Sequence, residues 1–214
     1  MKEKCILIGA GDISVSEIPI KEGDYVIAVD GGYMYCKVLG IQPDLIIGDF
    51  DSVEEKEMAE IESFIESGTT KIISLPREKD DTDMLAALRY GLEKGFREFC
   101  IYAACGGRLE HTIANIQCLN FLKEQKAKGY LMDGTGMVLV AKNESITFQK
   151  SMEGFFSMFS LGETAKGVSV TGMKYELDGA TFTNAFPIGI SNEFIGEAAK
   201  ITVEEGTVVM ILSW

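Results

Sequence analysis

Positive charge is scarce in this sequence of 214 residues. The 20 lysines and arginines stand against 33 aspartates and glutamates, which leaves a formal net charge of −13. Proteins that bind nucleic acid through its phosphates need clustered lysine and arginine, so the composition argues against a nucleic-acid partner. A small phosphorylated ligand held through metal ions remains compatible with it. The hydrophobic share of 46% can support a packed core, which excludes wholesale disorder.

Long apolar runs are missing as well. Only about five consecutive apolar residues precede the first glycine-rich turn, whereas a secretory signal needs roughly 7–15 and a membrane span about 18. The five cysteines are odd in number and form no CxxC pair, and four of them lie in or beside apolar runs. We therefore expect reduced thiols, a cytoplasmic location, no signal peptide and no membrane partner.

Short β-branched runs alternate with longer helical patterns over the first 130 residues. Strands are predicted at residues 5–8, 25–29, 45–47, 71–75 and 99–103, and helices at about 34–39, 53–67, 82–94 and 112–126. Alternation of this kind is typical of a parallel sheet that is covered by helices on both faces. We assign residues 1–130 to an N-terminal α/β domain on this pattern.

The pattern changes near residue 134. All four arginines precede that point, and short strands broken by glycine and asparagine follow it, at 138–142, 145–149, 155–160, 167–170, 200–203 and 208–212. Glu205-Gly206, between the last two strands, predicts a hairpin turn. The expected fold class is therefore α/β, with the parallel-sheet domain followed by a C-terminal antiparallel β-sandwich over residues 131–214.

Glycine-rich or acidic loops follow four of the predicted strands, at residues 30–32, 48–52, 76–83 and 106–111. Ligands of open parallel sheets bind outside the carboxyl ends of the strands, so we expect at least five aspartates to meet in one cleft. Crowded carboxylates raise one another's pKa, and a hard cation such as Mg²⁺ relieves that repulsion.

The same loops also carry groups that suit a phosphate. Gly31-Gly32 and Gly106-Gly107 would let backbone amides approach an anion closely, and Arg108 and Lys79 could complete a phosphate clamp. Together the four strand ends indicate phosphoryl or pyrophosphoryl transfer.

Each motif also has a purely structural interpretation. Asp80 and Asp83 could cap a helix and complement its dipole, and Asp49 and Asp51 could be ordinary turn residues. The first glycine pair, in Gly9-Ala10-Gly11, does not fit the dinucleotide fingerprint, because Ser14 stands at the third glycine position. The functional interpretation therefore depends on four strand ends coinciding.

In these loops the sequence resembles the thiamin pyrophosphokinase family. Five motifs occur in the family's order between residues 30 and 193: Asp30-Gly31-Gly32, Gly48-Asp49-Phe50-Asp51-Ser52, Lys79-Asp80-Asp81-Thr82-Asp83, Gly106-Gly107-Arg108-Leu109-Glu110-His111 and Gly189-Ile190-Ser191-Asn192-Glu193. The resemblance implies that residues 1–130 bind ATP and Mg²⁺ and that residues 131–214 bind thiamin. It also implies a homodimer with thiamin at the subunit interface.

The resemblance further implies roles for the matching residues. Asp49, Asp51 and Asp83 would hold Mg²⁺ and orient the ATP phosphates, with Asp80 in the same acidic wall. Ser191 and Asn192 would face the aminopyrimidine of thiamin, with Phe186 as a candidate for the aromatic residue that the family often places there. The residues lining the nucleotide would be Asp30, Gly31, Gly32, Arg108, Glu110 and His111, with Glu110 replacing the family's usual Asp.

The implied reaction is attack of the thiamin hydroxyl on the β-phosphorus of ATP, which gives thiamin diphosphate and AMP. Either Asp51 or Asp80 could accept the hydroxyl proton.

Two alternative functions remain at this point. Asp49-Phe50-Asp51-Ser52-Val53 after an apolar strand also resembles the nucleophile loop of aspartate-dependent phosphohydrolases, whose first aspartate is phosphorylated. The other alternative is a nucleotide- or thiamin-binding module without turnover.

Overall fold

The computed structural model describes residues 3–50, 61, 62, 64, 70–78, 80–162 and 164–214. Its contacts divide the chain into two compact units, residues 1–134 and 135–214. The boundary expected after residue 130 falls within a strand, Lys128–Asp133. The predicted helix at 53–67 lies almost entirely outside the described residues. In the part of the chain that is described, no helix combines the length and apolar character needed to span a bilayer.

The first unit contains a parallel sheet. Its described strands are β1 (Cys5–Ile8), β2 (Tyr25–Val29), β3 (Leu45–Gly48), β4 (Lys71–Ser74), β5 (Glu98–Tyr102) and β6 (Lys128–Asp133). They lie in the order β6-β5-β1-β2-β3-β4, and every registered pairing among them is parallel. The chain runs from β1 to β4 in one direction and then places β5 and β6 on the other side of β1. The strand order therefore reverses between β1 and β5.

Three described helices of this unit follow the strands: α1 (Tyr33–Val38), α2 (Asp83–Glu93) and α3 (Leu109–Glu124). The cap of α2 is Thr82, whose Oγ1 accepts a hydrogen bond of 3.2 Å from the amide of Leu85, so Asp80 does not cap this helix. Helix α3 begins at Leu109, three residues before the predicted start. Residues 109–111 of the predicted loop are therefore helical, and Glu110 in the first turn complements the helix dipole.

The second unit is a sandwich of two antiparallel sheets, ordered β12-β9-β14-β7 and β11-β10-β13-β8. Its strands are β7 (Gly136–Lys142), β8 (Ser145–Phe148), β9 (Phe155–Ser160), β10 (Thr164–Thr171), β11 (Leu177–Thr183), β12 (Gly189–Glu193), β13 (Ala199–Thr202) and β14 (Thr207–Ser213). Phe148 of β8 meets Phe156 of β9 edge-to-face at 5.9 Å, and Phe194 packs against both rings. Aromatic side chains thus join the two sheets, and the predicted fold class is confirmed.

The predicted hairpin at Glu205-Gly206 is wrong. Strand β13 pairs with β8 and β10, whereas β14 pairs with β7 and β9, so the chain crosses here from one sheet to the other. The amide of Gly206 donates to Asn143 Oδ1 at 2.8 Å, and Lys166 pairs with Glu205 at 3.3 Å. These contacts hold the crossing in place without strand pairing between β13 and β14.

Candidate active site

A cavity of about 460 Å³ opens at the carboxyl ends of the parallel strands, at the point where the strand order reverses. Backbone and side chains from five segments line it: Gly9, Ala10 and Gly11 after β1; Val29 and Asp30 at the end of β2; Thr82, Asp83 and Met84 at the start of α2; Ala103, Ala104, Gly106, Gly107 and Arg108 after β5; and His111, Ala114 and Asn115 of α3. Doubly wound sheets bind their ligands at this position.

The loops after β1 and β5 form one wall because their backbones touch. The amide of Gly11 donates to the carbonyl of Ala103 at 2.8 Å, and the amide of Asp12 donates to that of Cys105 at 2.8 Å. A Cβ at Gly9 would lie 2.6 Å from the carbonyl oxygen of Ala103, so only glycine permits this approach. The sequence pattern for dinucleotide binding missed these glycines. Their position directly after a buried strand is the signal that could have found them.

Strained backbone marks three of the strand ends. Asp30 after β2, Phe50 after β3 and Ala103 after β5 all have left-handed conformations, with φ of 52°, 49° and 49°. A left-handed residue with a Cβ costs about 1–2 kcal/mol and persists only where the surrounding structure enforces it. Such residues cluster at functional sites, and here they lie at or beside the cavity.

The segment before α3 lines the cavity and contains backbone donors without a described acceptor. Gly106 and Gly107 are both left-handed, with φ of 78° and 60°. The amides of Gly106, Gly107 and Arg108 donate no hydrogen bond to any described residue. The first amides of a helix also lack intrahelical acceptors and carry the positive end of its dipole. This segment can therefore bind an anion such as a phosphate group.

Arg108 is the last residue before α3, and its side chain forms an ion pair with Glu110. The guanidinium Nε lies 2.8 Å from Glu110 Oε1, and both side chains are exposed. A hydrogen bond from its own backbone amide, and then the one from Arg108, hold the pKa of the Glu110 carboxyl below its usual value. The pair lies at the edge of the cavity that Arg108 lines.

The predicted site residues of the first unit fall into two groups. Asp30, Asp83, Arg108 and His111 line the cavity, whereas Gly31, Gly32, Asp49, Asp80 and Glu110 do not. Asp51 and Lys79 lie outside the described residues. Among the described residues, no three aspartate, glutamate, histidine or cysteine side chains are arranged to share a metal ion.

Asp49 nevertheless lies close to the cavity. It is half-buried and directly follows β3, and a Cβ at Gly48 would lie 3.1 Å from the Cα of Asp30. Asp80 is exposed in the loop before α2. Gly32 does not line the cavity, but a Cβ there would approach the carbonyl oxygen of Ile8, so glycine is needed for the Asp30–Gly32 turn to pack on β1.

In the second unit, Ser191 and Asn192 have different environments. Asn192 is 8% exposed: its Oδ1 accepts from the amide of Tyr175 at 2.9 Å, and its Nδ2 donates to the carbonyl of Tyr175 at 2.7 Å. Ser191 is exposed and left-handed, with φ of 59°, at a register shift between β12 and β9. Its side chain faces outward, as does that of Phe186, which is 67% exposed.

Two further polar side chains support the cavity wall. Asn115 of α3 is buried and donates from Nδ2 to the carbonyl of Ala104 at 2.7 Å. Tyr35 of α1 donates from its hydroxyl to the carbonyl of Gly11, also at 2.7 Å. The sequence signal for Asn115 is an amide side chain on the otherwise apolar inner face of a helix.

The fold and cavity define an α/β protein with a cavity suited to an anion at the carboxyl edge of its parallel sheet, joined to a β-sandwich. The family model for the thiamin pyrophosphokinase catalytic domain matches residues 18–131, which is more than half of the chain. The model for the thiamin pyrophosphokinase vitamin B1 binding domain matches residues 143–208. The chain therefore belongs to the thiamin pyrophosphokinase family, as the sequence motifs predicted.

Individual relatives agree with this assignment. The chain is 30% identical over 188 residues to a thiamine pyrophosphokinase of Bacillus subtilis (strain 168), covering 87% of this chain and 86% of that protein. A crystal structure of thiamine pyrophosphokinase from Bacillus subtilis superposes with a TM-score of 0.86 at 27% identity over 99% of both chains. The thiamin pyrophosphokinase from Candida albicans shares the fold at 18% identity, with a TM-score of 0.78 over 99% of this chain and 89% of that one.

The family assignment identifies an enzyme of thiamine diphosphate synthesis that works by pyrophosphoryl transfer. It favours neither the aspartate-dependent phosphohydrolase nor the non-catalytic binding module that the sequence left open.

Proposed function

We propose that this enzyme transfers the β- and γ-phosphoryl groups of ATP, as one pyrophosphate, to the primary hydroxyl of thiamin and releases AMP. The observation that carries the proposal is the cavity at the reversal of strand order. There the free amides before α3 and the side chain of Arg108 lie in the same cavity as the carboxylates of Asp30 and Asp83.

The cationic side of the cavity would bind the triphosphate. The amides of Gly106, Gly107 and Arg108 and the N-terminus of α3 bind phosphate oxygens, and the Arg108 guanidinium offsets their charge. Glu110 holds Arg108 in place across their 2.8 Å contact. Asp30, Gly31, Gly32 and His111 complete the nucleotide site, with Gly32 allowing the turn to pack against β1.

The acidic side would hold Mg²⁺ through Asp49, Asp51 and Asp83. Mg²⁺ in proteins takes one or two carboxylates and completes its octahedron with water and phosphate oxygens. Asp83 lines the cavity and Asp49 directly follows a neighbouring strand, and carboxylates in these positions support the assignment. The ion would neutralise charge that develops on the transferred pyrophosphate. Asp80 extends the acidic wall, and either Asp51 or Asp80 takes the proton from the thiamin hydroxyl.

Thiamin would bind through the second unit. The exposed Ser191 contacts the aminopyrimidine, and Asn192 fixes the strand on which Ser191 lies, because its amide is engaged with Tyr175. Phe186 is the candidate for the aromatic residue that packs against the pyrimidine ring.

A homodimer would complete the thiamin site. Three large apolar side chains of the second unit, Phe155, Ile190 and Trp214, are each more than half exposed, and a second subunit would cover them.

The proposed location is the cytoplasm. All five cysteines are free thiols, which suits this reducing compartment.

The test is a single incubation of the protein with Mg²⁺, thiamin and ATP labelled at the γ-phosphorus. We expect labelled thiamin diphosphate and unlabelled AMP in equal amounts, because both transferred phosphoryl groups leave together. Formation of ADP with thiamin monophosphate, or release of labelled phosphate without thiamin, would contradict the proposal. Chelation of the metal serves as the matched control and should abolish both products.

A further inference from the structure

The loop after β5 is held by a side chain that belongs to neither the acidic nor the cationic side of the cavity. Asn115 lies in the second turn of α3, is 9% exposed, and donates to the carbonyl of Ala104 at 2.7 Å. Ala104 follows the left-handed Ala103 and shortly precedes the left-handed Gly106 and Gly107. The bond therefore fixes the loop between a strained residue and the segment whose amides are free.

The loop after β1 is held in a similar way from the opposite side. The hydroxyl of Tyr35, on α1, donates to the carbonyl of Gly11 at 2.7 Å. The amide of Gly11 in turn donates to the carbonyl of Ala103 at 2.8 Å. The cavity wall is therefore two touching loops, each anchored to a helix through one side-chain donor.

We infer that Asn115 and Tyr35 are positioning residues for the nucleotide, because they hold the two glycine-containing loops so that the amides of Gly106, Gly107 and Arg108 face the triphosphate. The inference rests on the proposed function for the identity of the ligand. A left-handed alanine is strained by an amount comparable to the net stabilisation from one hydrogen bond, so loss of the Asn115 anchor lets the loop relax to an ordinary conformation. The amides then no longer point together, and the nucleotide must reorder them on binding.

Asn115 also lines the cavity, so a direct contact with the nucleotide has to be separated from an effect on the loop. Tyr35 makes that separation possible, since it is not among the residues that line the cavity. Its hydroxyl contacts the carbonyl of Gly11, whose amide is bonded to Ala103, so the hydroxyl acts on the pair of joined loops. A shared effect of the two residues therefore identifies the loops as the element that they act on.

The experiment compares Asn115→Asp and Tyr35→Phe with the wild-type enzyme in steady-state kinetics. Asn115→Asp keeps the shape but replaces the donor by a carboxylate oxygen, which repels the Ala104 carbonyl and also adds a negative charge to the cavity. Tyr35→Phe removes only the hydroxyl and adds no charge, so its effect on the KM for ATP reports the loops alone. We expect the KM for ATP to rise about tenfold in the first variant and about threefold in the second, with the KM for thiamin unchanged. The double variant should show less than the product of the two effects, because both act on one pair of joined loops.

Asn120→Asp is the matched control. It makes the same chemical change five residues later on α3, at a half-buried position that does not line the cavity. We expect it to lower the melting temperature while leaving both KM values unchanged. A purely structural role for Asn115 would give the same result as this control, and that outcome would overturn the inference. So would equal rises in the two KM values, or strictly multiplicative effects in the double variant.

Calorimetric binding of ATP in the absence of thiamin separates this inference from the proposed function. If the wild-type protein binds ATP without turning it over, and Asn115→Asp and Tyr35→Phe weaken that binding as expected, the positioning roles stand and the proposed reaction fails. If turnover proceeds and neither variant changes ATP binding or the KM for ATP, the proposed reaction stands and the positioning roles fail.

Discussion

The two edges of the parallel sheet carry cavities of similar size but different character. The cavity at the carboxyl edge has about 460 Å³, and the one at the amino edge has about 590 Å³. The residues lining the amino-edge cavity are Glu3, Lys94, Gly95, Phe96, Arg97, Glu98, Lys126 and Lys128. Four of these eight are cationic in a chain with a net charge of −13. On volume and charge alone, the amino edge would be the better candidate for binding a phosphate.

The polar groups of the amino edge are instead largely used within the fold. Arg97 donates to the carbonyls of Leu92 and Phe96 at 3.0 and 2.7 Å, where α2 ends. Lys94 lies over the ring of Tyr25, and Glu98 is paired with Lys4 at 2.8 Å. Cations near a helix C-terminus complement its dipole and stabilise the helix. The comparison teaches that volume and formal charge alone do not distinguish a binding site from a gap in the packing, and that backbone donors without an acceptor, as at the carboxyl edge, are the more informative feature.

Removing one charge at each edge tests this distinction most strongly. Asp83→Asn should lower turnover at least about 100-fold with the fold intact, because the variant loses a carboxylate that we propose to hold Mg²⁺ and so to stabilise charge in the transition state. Glu98→Gln, the same type of change at the amino edge, should leave turnover unchanged. The measurement is AMP formation under saturating substrates. Unchanged AMP formation by Asp83→Asn would refute the metal assignment.

Replacing a glycine by alanine should lower the free energy of unfolding by different amounts at the two edges. Gly32→Ala at the carboxyl edge places a methyl group against the backbone carbonyl of Ile8, and overpacking of this kind costs about 1–3 kcal/mol or more. Gly95→Ala at the amino edge meets no atom within 4 Å and has only the strain of its φ of 93°, about 1 kcal/mol. Urea unfolding measures both free energies. Equal losses would show that the turn at Gly32 can shift away from β1.

The two arginines should give opposite results. Arg108→Ala should raise the KM for ATP about tenfold with little loss of stability, because its guanidinium is exposed and bonded only to Glu110 among the described residues. Arg97→Ala should lower the free energy of unfolding by about 1 kcal/mol, because two carbonyls lose their donor, while the KM stays unchanged. Steady-state kinetics measure the KM of both variants, and urea unfolding measures their free energies of unfolding. A rise in the KM for ATP in Arg97→Ala would make the amino edge part of the site.

The smallest effect concerns a thiol on α3, the helix that contributes to the carboxyl-edge cavity. Burial, and then the charge of Asp81, raise the pKa of Cys118 from 9.0 to about 11. Because the folded state favours the neutral thiol, its contribution to stability is complete below pH 9 and is lost as the pH rises from about 9 to about 11. Cys118→Ala should therefore lose less stability than the wild type between pH 8 and pH 10. The free energy of unfolding of both proteins is measured by urea unfolding at these pH values. Equal decreases between pH 8 and pH 10 in the variant and the wild type would contradict this.

The parallel sheet and the family could be predicted because β1, β2, β3 and β5 are continuous apolar runs and their polar residues follow directly. Strands β6, β11 and β12 were missed. The first begins with Lys128 and ends with Asp133, and the other two lie at sheet edges, where one side of the strand is exposed and polar residues are tolerated. The crossing at Glu205-Gly206 was misread because a turn signal does not tell which sheet the next strand joins.

The sequence predicted candidate side chains for the site, of which Asp30, Asp83, Arg108 and His111 line the cavity, but it did not predict how the surrounding loops are held. The aspartates, Arg108 and the glycine pairs can be read from the sequence, and the glycine pairs predicted that backbone amides could approach an anion. The strain at Ala103 and the anchors at Asn115 and Tyr35 could not be predicted, because they depend on contacts between distant segments. The wall made by the loop after β1 was overlooked for the same reason. Its glycines are required by a carbonyl about ninety residues away in the chain.

The proposed roles of Ser191, as a contact to the pyrimidine, and of Asn192, as the anchor of the strand, have a practical consequence for altering substrate choice. Because the Asn192 amide already holds the strand to Tyr175, position 191 can be varied without releasing the strand. Its left-handed backbone admits glycine, asparagine and aspartate most readily. A three-member library at this single codon would therefore be the most economical starting point for accepting thiamin analogues with a modified pyrimidine ring.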